Sequence, residues 1–229
     1  DFDFAKSLSD TFHQCDANHP TYMVSCTPRL FPQHAQLADI MAVDPYPYPS
    51  APLTAVSEHA DLAWKATLGE KPVWQVVQSF GGEPEAQQRC MTYLAVVHQA
   101  RAILWYPWDD GKKNGKGVGM KYDPVLQATV KKLCAELRTL SPALLNSNGR
   151  RAFTAADGKV HGLFCAENGG AQYVILVNST SEKLAADVEV PELKEAAGVT
   201  EAFGDAKLEA KARRLSLQLG AYEVKAYKW

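Results

Sequence analysis

Asp44, Tyr46 and Tyr48 follow one short apolar run, Gln78, Ser79 and Phe80 follow a second, and Trp105, Tyr106, Trp108, Asp109 and Asp110 close a third. Carboxylates move protons or activate water, and an amide donates and accepts hydrogen bonds at once. Aromatic rings offer flat apolar faces on which a pyranose stacks while its hydroxyls take directional bonds. The set therefore predicts a carbohydrate site. Trp105 and Trp108 are expected as its floor beside Tyr106, Tyr46 as a wall, and Gln78 as the partner of adjacent hydroxyls. Two plainer readings stand beside this one. Trp105 and Tyr106 also suit the filled interior of a barrel, and Asp109-Asp110-Gly111 is ordinary turn chemistry.

These residues are placed by elements that the sequence marks clearly. Phe4 to Cys15 reads as a helix, "TYMVSC" as a strand after the His19-Pro20 break, and "ADIMAVDPYPYP" as a second strand stopped by Pro45, Pro47 and Pro49. A helix through "LTAVSEHADLAWKATLG" leads to the strand "VWQVVQ", and a helix opening at Pro84 leads to "AILWYPW". Leu126, Val130, Leu133, Leu137 and Leu140 then recur at helical spacing. Short, almost wholly apolar strands alternating with helices predict parallel strands buried by βα crossovers, so the class is α/β. From Arg151 the texture changes to period-two alternation, as in "AADVEV" and "RRLSLQL". The expected organisation is a partial (β/α)8 barrel over 1–147 followed by a small antiparallel β-sandwich over 148–229. A flavodoxin-like open sheet is the rival, but "CTPRLFPQ" lacks the glycine-bearing phosphate loop it needs after the first strand.

Composition removes several other classes. The chain has 229 residues, 46% hydrophobic and 22% charged, with a formal net charge of -2, so no basic surface for nucleic acid is signalled. Its longest apolar runs, such as "YVILV", fall far short of a membrane span. Five widely spaced cysteines form no C-x-x-C pair, and His13, His19 and His34 lack metal-ligand spacing, so no metal and no cofactor is expected. Asn178-Ser179-Thr180 is a glycosylation sequon that matters only in a secretory context.

In this order, "DANHPTYMVS", "ADIMAVDPYPYP", "KPVWQVVQSFGG", "RAILWYPWDDG" and a β-domain ending "LGAYEVKAYKW" resemble the second half of a (β/α)8-barrel glycoside hydrolase. The likeness is to the clan holding the family 2 and family 42 β-galactosidases and the family 5 glycanases, in which these segments are strands five to eight. That resemblance implies an oligosaccharide or glycoside as ligand, and a secreted or periplasmic location. It also implies two glutamates, an acid/base after strand four and a nucleophile ending strand seven, about 5 to 5.5 Å apart. No Asn-Glu dipeptide occurs in the chain, and the nucleophile position falls on Val77 or Gln78, neither of them a carboxylate. A carboxylate from another strand end, Asp109 or second Asp44, is then the expected catalytic group. An inverting mechanism suits it, because that chemistry works across about 6.5 to 9.5 Å. The alternative is a non-catalytic carbohydrate-binding or scaffold protein on a degenerate barrel. Four strands make only half a barrel, so the N-terminal half is expected as a second polypeptide, as a removed segment, or as a second copy pairing to complete the closure.

Overall fold

The computed structural model describes residues 2–113 and 116–229. Helix α1 (Phe2–Cys15), with Asp3 in its first turn and His13 in its last, complements its own dipole. Strands β1 (Tyr22–Ser25), β2 (Ile40–Val43), β3 (Val73–Gln78) and β4 (Ala102–Tyr106) form one parallel sheet in sequence order. They are joined by a short helix α2 (Phe31–His34), by α3 (Ala55–Ala66) and by α4 (Glu85–Val97). A two-stranded hairpin, β5 (Lys112–Lys113) and β6 (Lys116–Gly117), precedes the long α5 (Pro124–Leu145), and sequence reading did not anticipate it. Pro124 fills the first turn of α5, and Asp123 caps it by accepting from the Leu126 amide at 2.9 Å.

The helices cover one face of this sheet. Met41, Val43 and Val73 pack with Phe31 and Ala63, while Val77, Ile103 and Trp105 pack with α4 and α5. Alternation along the strands turns Tyr22, Val24, Trp74, Val76 and Leu104 to the opposite face. Lys71, part of the motif carrying the resemblance, has a structural use. Its ammonium donates to the Ala35 and Ala38 carbonyls, each at 2.7 Å, and fastens the segment after α2.

The rest of the chain, β7 (Arg150–Ala155), β8 (Val160–Ala166), β9 (Gln172–Asn178), β10 (Leu184–Glu189), β11 (Ala196–Glu201), β12 (Lys207–Lys211), β13 (Arg214–Leu219) and β14 (Val224–Lys228), is antiparallel. The expected sandwich implied two separately bonded sheets. The eight strands instead form one continuous sheet, β10-β13-β12-β11-β14-β9-β8-β7, which curls until β10 comes near β7. Its inside is filled by Phe164, Leu176, Val188, Leu215 and Tyr227. Its outside face at Leu163, Cys165, Ile175 and Val177 joins the core of α4 and α5, so β8 and β9 are buried on both faces.

Two polar assemblies pin these layers. Between α4 and α5, the buried Glu136 accepts from the Tyr93 hydroxyl at 2.8 Å and from Arg89, whose guanidinium also lies over the Tyr93 ring at 4.9 Å. Between the layers, Asp61 on α3 bonds His98 at 2.9 Å, and His98 bonds His161 on β8 at 2.8 Å. The sequon asparagine is spent as well. Asn178 is buried and donates to the Glu182 and Gly220 carbonyls, each at 2.7 Å, so it is a turn fastener with no amide left for a glycan.

Candidate functional site

The carboxyl ends of parallel strands are where such sheets gather their ligands. Tyr46 follows β2, Phe80 follows β3, and Tyr106 ends β4. Their rings form one cluster: Tyr46 and Phe80 meet edge to face at 5.1 Å, Tyr46 and Tyr106 stack at 6.0 Å and 16°, and Phe80 and Tyr106 meet edge to face at 6.4 Å. Although packed on one another, Tyr46 and Tyr106 stay 37% and 43% exposed, so the cluster is a surface platform and not core. Trp108, two residues beyond Tyr106, is 59% exposed. It rides on a loop closed by bonds from Met120 N to Pro107 O and from Lys121 N to Trp108 O. Gly119 permits that closure, since its φ is +111° and a Cβ there would lie 2.8 Å from the carbonyl oxygens of Pro107 and Trp108.

Asp44 is the carboxyl of this platform. The Tyr46 hydroxyl and His59 lie near it, and its Oδ1 is buried without a hydrogen-bond partner. Burial raises its pKa above the ordinary carboxylate range, against the smaller opposing pull of the Tyr46 hydroxyl. Burial likewise lowers the His59 pKa, and His59 Nδ1 is also buried without a partner. A half-buried acid with a free oxygen beside a ring platform can hold a proton or bind a hydroxyl.

Three expected site residues sit differently. Gln78 is buried, and its amide forms a two-point bracket with one residue: Oε1 accepts from the Tyr48 amide at 3.0 Å and Nε2 donates to the Tyr48 carbonyl at 2.8 Å. It holds the 46–49 loop against β3 instead of meeting ligand hydroxyls. Trp105, expected as the floor, lies on the helix side of β4, where it packs against the α4–α5 core and donates Nε1 to Thr92 Oγ1 at 3.3 Å. A strand alternates faces, so Trp105 and Tyr106 cannot both serve one side. Asp109 accepts from Lys121 at 2.7 Å, from the Gly111 amide at 2.9 Å and from the Tyr122 hydroxyl at 3.1 Å. Lys121 foremost holds its pKa below the usual range. This carboxylate anchors the hairpin loop, as its turn-forming neighbours suggested.

Sequence reading did not single out Phe80 as a platform ring, nor Glu83. Glu83 is buried, accepts from the Phe80 and Gly81 amides through Oε1, and leaves Oε2 without a partner. The pair Gly81-Gly82 ahead of it was the available signal, because a glycine turn bares amides that a nearby carboxylate can cap. Among the described residues no group of three or more His, Cys, Asp or Glu side chains could hold a metal ion.

No protein-family model matches the chain, and no curated protein sequence does. Solved structures do. The α-galactosidase I of Mortierella vinacea superposes with a TM-score of 0.60 at 11% identity, over 99% of this chain and 62% of its own. The noncanonic maltogenic α-amylase AmyB of Thermotoga neapolitana gives 0.60 at 12%, over 100% and 58%. A GH30 endoxylanase of Clostridium papyrosolvens C71 gives 0.54 at 11%, over 99% and 59%. The chain shares the fold of the matched part of each of these structures. It spans less than two thirds of the length of each of these enzymes.

Proposed function

We propose that this protein binds an oligosaccharide or glycoside on the Tyr46–Phe80–Tyr106 platform, as part of a glycoside hydrolase-type site to which this chain contributes the ends of strands five to eight. The carrying observation is the platform itself: rings from three successive strand ends, kept partly exposed, beside a carboxyl with an unpartnered oxygen. A sugar ring covering Tyr46 and Tyr106 removes their apolar area from water while its hydroxyls reach Asp44. Trp108, exposed two residues beyond Tyr106, is the ring this reading assigns to a second sugar unit. Gln78 acts as a positioning residue that fixes the loop carrying Tyr46.

Within this reading Asp44 is the carboxyl that protonates a leaving oxygen or activates water, because burial keeps its pKa raised and one oxygen free. Asp109, with three donors on its oxygens, serves the loop. The second reading, binding without hydrolysis, draws on Gln78, since a neutral amide cannot form a glycosyl ester. A glycan array run beside a panel of chromogenic glycosides separates the two. Calorimetric titration of the best glycan should show about a tenfold loss of affinity for Tyr106→Ala, the scale of one aromatic contact. Equal affinities for wild type and Tyr106→Ala would remove the platform from the site. Turnover lost in Asp44→Asn with binding kept supports hydrolysis, whereas absence of turnover in wild type supports binding alone.

A further inference from the structure

The segment beyond β4 differs from the rest of the chain in charge. Residues 108–122 carry four lysines against two aspartates, a net of +2, in a chain whose formal net charge is -2. Lys121 is already matched, since it donates to Asp109 at 2.7 Å. Lys112 and Lys116, one on each strand of the hairpin, are exposed and form no ion pair among the described residues. Unmatched like charges held close together repel one another and draw in an opposite charge, which has no existing ion pair to break.

The hairpin sits against the platform. Tyr106 donates its hydroxyl to Asp110 at 3.5 Å, and the ladder opens at that residue, with Asp110 N donating to Val118 O and Val118 N to Gly111 O, each at 2.9 Å. A hollow of about 200 Å³ lies between Ser79, Phe80 and Gly82 on the platform side and Gly117, Gly119 and Tyr122 on the hairpin side. That is the share of about seven water molecules in the liquid, enough for a charged substituent and its water. Gly117 lets the Tyr122 ring close on the hairpin, because a Cβ there would fall within 2.4 Å of that ring. Paired residues of an antiparallel ladder share a face, so Lys112, opposite Gly117, stands on the side that Tyr122 covers. Successive residues alternate, so Lys116 stands on the other. The hairpin thus offers an ammonium on each face, one of them on the side of a ring that lines the hollow.

We propose that the glycan taken by the platform is acidic, its uronate or sulfate groups held by Lys112 and Lys116 while Tyr46 and Tyr106 take the faces of its rings. This rests on the platform being the sugar site and adds what that site selects. A hydroxyl gives an ammonium a hydrogen bond alone, whereas a carboxylate or sulfate gives a charge-assisted one. Lysine suits a repeating acidic chain, because it acts as a flexible point charge where an arginine fork would fix one geometry. Burial holds the Asp44 pKa above the ordinary carboxylate range, which limits the opposing negative charge at the platform. Single-stranded nucleic acid is the competing anion, since its bases also stack on rings. The chain's net charge of -2, more negative still outside the hairpin, disfavours it.

The test titrates the chain with oligogalacturonate and alginate oligomers for the carboxylate and carrageenan oligomers for the sulfate. Galactan, xylan and amylose oligomers serve as neutral sugars, with single-stranded oligothymidylate beside them. An acidic glycan should bind at least about tenfold more tightly than every neutral one at about 50 mM salt, and the margin should shrink to about twofold at about 500 mM as the charges are screened. Which acidic set binds tells carboxylate from sulfate. The double variant Lys112→Gln with Lys116→Gln should lose about fivefold or more of that affinity, the scale of two exposed charge contacts, while Lys112→Arg with Lys116→Arg keeps most of it. Tyr106→Ala should weaken acidic and neutral glycans alike. Neutral glycans bound as tightly as acidic ones, and weakened by Tyr106→Ala, overturn this inference and leave the platform as the sugar site. An acidic preference untouched by the double Gln variant overturns the assignment to the hairpin, and oligothymidylate bound as tightly as the acidic glycans overturns the choice of sugar. Binding of no glycan in either set overturns the platform reading and this inference with it.

Discussion

The two sheets of this molecule solve the problem of apolar strands in opposite ways. In the antiparallel sheet, curling encloses Phe164, Leu176 and Tyr227 within, while α4 and α5 cover Leu163 and Ile175 outside. The parallel sheet is covered by helices on one side only and gathers its exposed rings at the strand ends. The first arrangement spends its residues on cohesion. The second leaves rings and an edge strand open to water, so cohesion and exposed apolar surface are divided between regions.

The largest expected effect tests that division directly. Leu163→Ala, which opens a hole where the antiparallel sheet meets the helices, should cost about 3 kcal/mol in urea unfolding. Val24→Ala on the open face should cost the recombinant chain less than about 0.5 kcal/mol. Comparable losses at both sites would erase the contrast between the sheets.

Next in size is acid sensitivity at their junction. His161 faces His98, which is bonded to Asp61, and its Nε2 is buried without a partner. Burial, with His98 second, pushes the His161 pKa down to about 4. The unfolded chain then binds this proton more readily than the fold does, so the stability is present above about pH 6.5 and declines as pH falls toward 4. Between pH 7 and 5 the loss should be about 2 kcal/mol, measured by urea titrations at each pH, and His161→Phe should flatten that slope. An unchanged slope in the variant would show that the junction does not report on this histidine.

Comparable in size is the bracket at the platform. Gln78→Leu should cost about 2 kcal/mol, because it leaves the Tyr48 amide and carbonyl unanswered near β3. It should also weaken glycan binding by releasing Tyr46. Full affinity in this variant would mean that the platform needs no such fastening. The smallest effect is expected for Asp109→Asn, which loosens the 107–121 loop and should change glycan affinity by no more than about twofold. A large loss of turnover there would return Asp109 to the chemistry.

Most of the parallel strands and their helices were legible because their signals are local: proline stops after Val43, the opening of α4 at Pro84, and the helical recurrence from Leu126 to Leu140. The strand ends that gather Tyr46 and Tyr106 were legible for the same reason. Which face each residue takes was not. Trp105 and Tyr106 are adjacent in the chain and differ by one step of alternation, and only packing against Thr92 and α5 decides which ring turns inward. The single curled sheet escaped notice because alternation reports that a strand has two faces and is silent on how many strands bond in one series. Asp61, His98 and His161 meet across separations that no local pattern reveals.

The Gln78 bracket bears on how such a strand end can change. One side chain there answers both an amide and a carbonyl of Tyr48, a task that needs a donor and an acceptor on one carbon. A charged glutamate offers acceptors only, so Gln78→Glu would repel the Tyr48 carbonyl and free the very loop that carries a platform ring. The position serves here as a fastener, and a carboxylate placed at it would need another donor to answer the Tyr48 carbonyl.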